Sequence, residues 1–194
     1  MTLVFVRAPE RGRVKTRLAA ALGDDGALRV YRRLAEHTVH EARAAGGELR
    51  IHFTPAEREA EVRAWLGDAV YIPQAAGDLG TRMEAAFRAA FDAGAERVVI
   101  IGSDLPDLSA ALLRRAFDAL ASHAAVLGPA RDGGYYLLGM TSLIPGVFHD
   151  IPWSTGTVLA LTLERLRAAG IEPALLDTLT DVDEVEDLPD GWET

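Results

Sequence analysis

Asp104 stands where a carboxylate can do chemistry. It follows Val98-Val99-Ile100-Ile101-Gly102-Ser103, and Leu105-Pro106 comes next. Four consecutive β-branched residues predict a central strand covered on both faces. Gly102 and Pro106 end the pairing, so the acid lies just beyond the carboxyl end of that strand. In open α/β sheets ligands bind in that crevice, and a strand holds an acid there rigidly. The same aspartate can also do no more than cap the turn before the next helix.

Cations gather elsewhere. Between Arg7 and Arg17 the chain carries five basic residues, Arg7, Arg11, Arg13, Lys15 and Arg17, interrupted by Pro9 and Gly12. A basic loop above a parallel sheet binds di- or triphosphate through backbone N–H groups and Lys or Arg heads. A solvated loop has the same composition. The spacing is not that of a Walker loop, and no G-x-G-x-x-G fingerprint occurs. Gly128-Pro129-Ala130-Arg131-Asp132-Gly133-Gly134-Tyr135-Tyr136 contains two adjacent glycines, as a ligand-hugging loop or a hairpin turn needs.

Near the end, residues 181–187 place five acids within seven positions. Such runs are commonly solvated surface. Mg²⁺, however, takes one or two carboxylates plus substrate phosphates, and Asp104 with Asp183 forms that pair if the chain end folds back over the strand ends. His37 and His40 share a helix face but lack an evident third ligand. Ser103 has no evident His/Asp relay. Trp153-Ser154-Thr155 reads either as an acceptor-pocket wall or as a core tryptophan beside a helix cap.

The elements that must position these residues alternate along the chain. Strands are expected at Thr2–Val6, Leu49–Phe53, Ala69–Ile72, Val98–Ile101, Ala124–Leu127, Tyr135–Met140 and Ala174–Leu176. Between them, Asp24 and Asp25 cap a helix to about Ala45, and Thr54-Pro55 with Glu57 forms a capping box for the next. Met83, Phe87, Ala90 and Phe91 mark a third helix, Ser109 caps a fourth, and Thr157–Ala169 is the last; Asp183 then caps a brief turn. The alternation predicts an α/β fold, a single three-layer α/β/α domain over residues 1–194 with a mainly parallel sheet. The irregular loops Arg7–Arg17, Gln74–Arg82, Ser103–Asp107 and Gly128–Gly134 each follow a strand, so they gather on one edge.

Composition narrows the function. At 194 residues with 49% hydrophobic and 25% charged side chains, the chain builds its own core without staples. The net charge of -9 and the absence of a long basic run argue against nucleic acid as main partner. No cysteine is present, which removes thiol nucleophiles and Cys-zinc sites. Met1–Val6 followed by Arg7 is too short for a signal segment, and no apolar run spans a membrane, so the expected address is cytoplasmic.

The set Pro9-x-x-Gly12-x-Val14-Lys15-Thr16-Arg17-Leu18, Gly77-Asp78-Leu79-Gly80-x-Arg82-Met83, Gly102-Ser103-Asp104-Leu105-Pro106, Gly128-Pro129-Ala130-x-Asp132-Gly133-Gly134-Tyr135-Tyr136 and Trp153-Ser154-Thr155 resembles a DUF2064-type bacterial transferase family. That family is usually named for glycosyl transfer and has the nucleotide-diphospho-sugar transferase (GT-A) fold. The resemblance extends distantly to the 2-phospholactate and molybdenum cofactor guanylyltransferases and the CMP-sugar synthetases. It implies that Lys15 and Arg17 contact nucleotide phosphates, and that Asp104 and Asp183 hold Mg²⁺ or Mn²⁺. Relatives carry Asp-Thr-Pro-Glu-Asp-Leu at the second acid, where this chain reads Asp183-Glu184-Val185-Glu186-Asp187-Leu188.

The implied function is metal-dependent transfer from a nucleoside triphosphate or a nucleotide-sugar to a small acceptor. Lys15, Asp104 and Asp132 are the catalytic candidates, Asp132 as base for an acceptor hydroxyl. Arg7, Pro9, Gly12, Lys15, Arg17, Gly80, Arg82, Arg131 and Gly133 are the nucleotide-binding set. A non-catalytic nucleotide-binding or assembly module on the same fold is the alternative. The base, the acceptor and the oligomeric state are not legible in the sequence.

Overall fold

The computed structural model describes residues 1–192. Seven strands form one sheet in the order β3-β2-β1-β4-β6-β5-β7. They are β1 (Thr2–Arg7), β2 (Leu49–Thr54), β3 (Val70–Pro73), β4 (Val98–Ile101), β5 (Ala125–Pro129), β6 (Tyr135–Met140) and β7 (Ala174–Leu175). β1 pairs in parallel with both β2 and β4, β2 with β3, and β5 with β7. Only β6 runs against its neighbours, β4 and β5. The sheet is therefore mainly parallel, as expected, and the glycine-rich stretch after β5 is a hairpin. β5 still points the same way as β4, so its turn joins the other loops at the carboxyl edge.

Alternation along the strands sorts side chains onto two cores. Val4, Val6, Val99 and Ile101 pack on the face covered by α1 (Thr16–Ala45), α2 (Glu59–Leu66) and α4 (Ala110–Ala119). Leu3, Val98 and Ile100 point to the opposite face, against α3 (Leu79–Asp92) and α5 (Val158–Ala168). All four residues of β4 are buried, the signature of a central strand covered on both sides. Phe53, Phe87 and Phe148 are among the largest side chains wholly out of solvent. Each contributes on the order of 2–3 kcal/mol by burial. Among the described residues no helix is long and apolar enough to cross a membrane.

Some local expectations give way. The first helix starts at Thr16 rather than at Asp24, and Gly23 (φ 68°) bends it. Asp24 and Asp25 open the second segment, but their carboxylates pair with Arg11 from the preceding loop instead of capping. Thr54 does not cap a helix, because it remains in β2, in register with Arg7, and its carbonyl accepts from Ala8 N–H. A short 3-10 turn, Ala56–Arg58, intervenes before α2. The third strand is Val70–Pro73, shifted one residue from the expected span. Ser109 does cap α4, accepting from Leu112 N–H, and Asp78 caps α3 through Thr81 N–H.

Candidate functional site

The carboxyl edge is closed by the chain's own end. Leu176 N–H donates to Leu127 carbonyl and Leu179 N–H to Pro129 carbonyl, so the segment after β7 runs alongside β5. Arg131 N–H returns a bond to Leu179 carbonyl, and Val182 N–H then donates to Asp104 carbonyl at 2.9 Å. Val182 is fully buried. This track lays Asp181 and Asp183 over the end of β4. Asp183 does not cap the final turn; Glu184 does, in a capping box with Asp187, and this leaves the Asp183 carboxylate free to face the first loop.

Lys15 is the hub. Its backbone is left-handed (φ 46°, ψ 50°) at the cap of α1, a conformation costing about 1 kcal/mol or more for a non-glycine residue. Its side chain is 7% exposed. The ammonium lies 3.0 Å from Asp104 Oδ1 and 3.5 Å from Asp183 Oδ1, and donates to Val182 carbonyl at 2.5 Å. Arg17 reaches the other oxygen of Asp183 at 3.3 Å. Asp104 Oδ1 is out of solvent and has no hydrogen-bond partner. The Lys15 contact to it is an ion pair with poor hydrogen-bond alignment, so a lone pair of Asp104 remains to be satisfied.

Two adjoining cavities open from this hub. One, of about 640 Å³, is lined by Arg7, Arg13, Lys15, Arg17, Arg82, Tyr31, Thr54 and Gln74. Tyr31 hydroxyl donates to Arg7 carbonyl and accepts from Arg7 N–H, each at 2.7 Å, tying α1 to the end of β1. Gln74 spends its amide group on Val6 and His52 carbonyls, 3.3 and 2.9 Å away. Arg82 is oriented by a bond to Gly77 carbonyl. Among the described residues Arg7 and Arg13 have no ion-pair partner, which leaves both guanidiniums for a ligand.

The second cavity, about 560 Å³, is floored by Phe5, Ile100 and Leu138 and walled by Met83, Tyr135, Trp153 and Val158. Asp104, Asp132, Asp181 and Asp183 face it, with Arg17 at the rim. One Asp132 oxygen accepts from Gly134 N–H at 2.8 Å, fixing the turn. Burial raises the Asp181 carboxyl above its ordinary range, and the neighbouring Asp132 and Asp183 charges add to this. The two cavities share Phe5, Arg17, Leu79, Gly102, Asp104, Ser154 and Asp183. Among the described residues no three His, Cys, Asp or Glu side chains form a metal cage. Asp104 and Asp183 are the carboxylates that would hold a hard cation at this junction.

Of the residues singled out in the sequence, Arg7, Lys15, Arg17, Arg82, Asp104, Asp132 and Asp183 line these cavities. Pro9, Gly12, Gly80, Arg131 and Gly133 do not line them. Gly80 and Gly133 act through space instead. A Cβ on Gly80 would lie 2.5 Å from Phe148 carbonyl and 2.8 Å from the Trp153 indole. Gly133 (φ 88°) lies so close to Gly156 that a Cβ would meet its carbonyl at 2.2 Å. Arg131 is exposed and contributes only its backbone N–H to the track. His37 Nε2–H donates to Leu108 carbonyl at 2.9 Å, which makes it a packing residue. Asp181, Tyr31 and Gln74 were not anticipated. Their signal is three-dimensional, because Tyr31 has core spacing on its helix and Gln74, though it opens the irregular loop Gln74–Arg82, carries no charge to mark it.

Comparison with known proteins agrees with this fold. A phosphoenolpyruvate guanylyltransferase of Chloroflexus aggregans is 29% identical over 161 residues, covering 79% of this chain and 79% of that one. A crystal structure from Desulfovibrio desulfuricans G20, provisionally described as a nucleotide-diphospho-sugar transferase, is 39% identical with a TM-score of 0.91. It covers 95% of this chain, which spans 82% of it. The 4-diphosphocytidyl-2C-methyl-D-erythritol synthase of Anaerococcus prevotii shares the fold alone, at 13% identity, TM-score 0.63 and coverage of 96% and 94%. The family model described as "uncharacterized protein conserved in bacteria (DUF2064)" matches residues 37–155. On that match, and on the Desulfovibrio likeness, this chain belongs to the DUF2064 family.

Proposed function

We propose that the chain is a metal-dependent transferase that holds a nucleotide donor in the arginine-lined cleft and an acceptor in the adjoining chamber. One observation carries the reading: Lys15 lies between Asp104 and Asp183 at the junction of the two cavities. A departing phosphate requires positive charge, which the Lys15 ammonium supplies and which a cation held by the two carboxylates would add to. Arg7, Arg13 and Arg82 flank the path of a phosphate chain, and Lys15 and Arg17 lie where negative charge develops on the leaving group.

Mg²⁺ or Mn²⁺ fits the acids. Asp104 Oδ1 is buried with no hydrogen-bond partner, Asp183 approaches the same ammonium, and hard cations take oxygen donors. When bound, such an ion would offset the charge that develops on the leaving group. Asp104 and Asp183 would hold it, while Asp132 would take a proton from an acceptor hydroxyl. Removing water is the task of Phe5, Tyr135 and Trp153.

The donor is a nucleoside triphosphate or a nucleotide-sugar, and a panel separates them. Because one relative is named a guanylyltransferase, GTP heads the triphosphates; UDP-, GDP- and ADP-glucose form the second arm. Pyrophosphate release identifies nucleotidyl transfer, and nucleoside diphosphate release identifies glycosyl transfer. Failure of every nucleotide to bind with Mg²⁺ or Mn²⁺ overturns the proposal.

A further inference from the structure

Building on the proposed function, we infer that the acceptor is an uncharged, hydroxyl-bearing molecule with an apolar face, and that the chamber rejects phosphorylated and carboxylated acceptors. The chamber's charges point one way. Four aspartates, Asp104, Asp132, Asp181 and Asp183, line it against a single guanidinium, Arg17. Asp104 and Asp183 have Lys15 between them as counter-charge. Asp132 and Asp181 have no ion-pair partner among the described residues. Arg17 is itself engaged with Asp183 and its side chain is 70% exposed, so it offers little to a buried anion.

The basic groups lie on the other side of the junction. Arg7, Arg13 and Arg82 line the neighbouring cleft and not the chamber. A donor's phosphates are therefore matched there, whereas an acceptor phosphate would meet Asp132, Asp181 and the donor's own anionic chain. Like charges at such distances cost binding energy rather than supplying it. The same aspartates suit hydroxyl groups, which donate to carboxylates without bringing charge.

The walls complete the description. Phe5, Met83, Leu138, Tyr135, Trp153 and Val158 present apolar and aromatic surface. The volume of about 560 Å³ holds a molecule of mono- to disaccharide size. Asp132 has a purpose with such an acceptor, since a hydroxyl must lose a proton whereas a phosphate is already ionised. With a nucleotide-sugar donor the step balances simply. The sugar C1–O bond breaks with its electron pair leaving on the nucleoside diphosphate, the acceptor oxygen forms the new bond to C1, and its proton passes to Asp132 and then to solvent.

The test is a binding panel on the full chain in Mg²⁺, read by ligand-observed NMR with and without UDP. Phenyl β-D-glucoside and methyl β-D-glucoside are the neutral probes. Glucose 6-phosphate and phosphoenolpyruvate are the anionic ones. The neutral glucosides are expected to bind at least about tenfold more tightly than either anion. In the Asp132→Asn/Asp181→Asn double variant that ratio should fall by at least about threefold, with circular dichroism confirming the fold. Equal or tighter binding of an anion by the wild-type chain overturns the inference, as does failure of both glucosides to bind. Nucleotide affinity measured in the same samples separates this result from the fate of the donor-site proposal, because the glucosides can fail while nucleotide still binds.

Discussion

Replacing Lys15 by methionine separates two roles of one ammonium. The side chain is 7% exposed and meets Asp104 and Asp183 at 3.0 and 3.5 Å. Methionine keeps the aliphatic stem but leaves the two carboxylates facing each other. Removing one partner of a fully buried ion pair costs about 3–5 kcal/mol. Here the two acids are 41% and 45% exposed and regain hydration, so the loss is about 1–3 kcal/mol. For a chain of this size that lowers Tm by about 2–10 °C. The ammonium also competes with a divalent cation for the same oxygens, so Lys15→Met should bind Mn²⁺ about tenfold more tightly and be stabilised by it more than the wild type. Group transfer should nevertheless fall sharply, since the Lys15 ammonium no longer offsets the charge on the leaving phosphate. Thermal melts with and without Mn²⁺, and Mn²⁺ titration followed by electron paramagnetic resonance, measure both effects. An unchanged Tm together with weaker Mn²⁺ binding refutes the reasoning.

Other outcomes follow from particular contacts. His52 is 3% exposed, stacks on Phe5 at 5.4 Å, and burial lowers its imidazole to about 4 from the ordinary 6.5. The unfolded chain therefore binds the extra proton between pH 6.5 and 4, and stability should fall across that window by roughly 3 kcal/mol and level off below it. Urea melts of His52→Phe should lack that portion of the slope. Gly133→Ala combines a left-handed φ with a 2.2 Å clash on Gly156 carbonyl, so it should cost at least about 2 kcal/mol and displace Asp132. Denaturant midpoints and transfer rates check it. Tyr31→Phe removes both bonds to Arg7 and should cost about 1–2 kcal/mol with a weaker nucleotide affinity, measured by calorimetry.

Much of this arrangement could be read from the residues. The four β-branched residues before Gly102 allow only a buried central strand, and that placed Asp104 at the sheet edge. The basic loop, the double glycine and Asp183 were likewise legible, because each breaks the regular pattern after a strand. What escaped notice depends on distant partners. Nothing local marks Lys15 as left-handed, and Gly23 carries a non-helical bend between the segment that starts at Thr16 and the one that follows. Thr54 carries a sound capping signature, yet strand pairing with Arg7 outweighs it. Asp181 was one acid among five. Its place in the chamber comes from the Leu176–Val182 track along β5, whose bonds join residues far apart in sequence.

A crystal of the wild-type chain soaked with Mn²⁺ and a non-hydrolysable nucleotide tests the central claim most directly. The account predicts an anomalous peak at Asp104 and Asp183, with phosphates reaching Lys15, Arg17 and Arg82. Density for the nucleotide on another face, or a metal away from both aspartates, contradicts it.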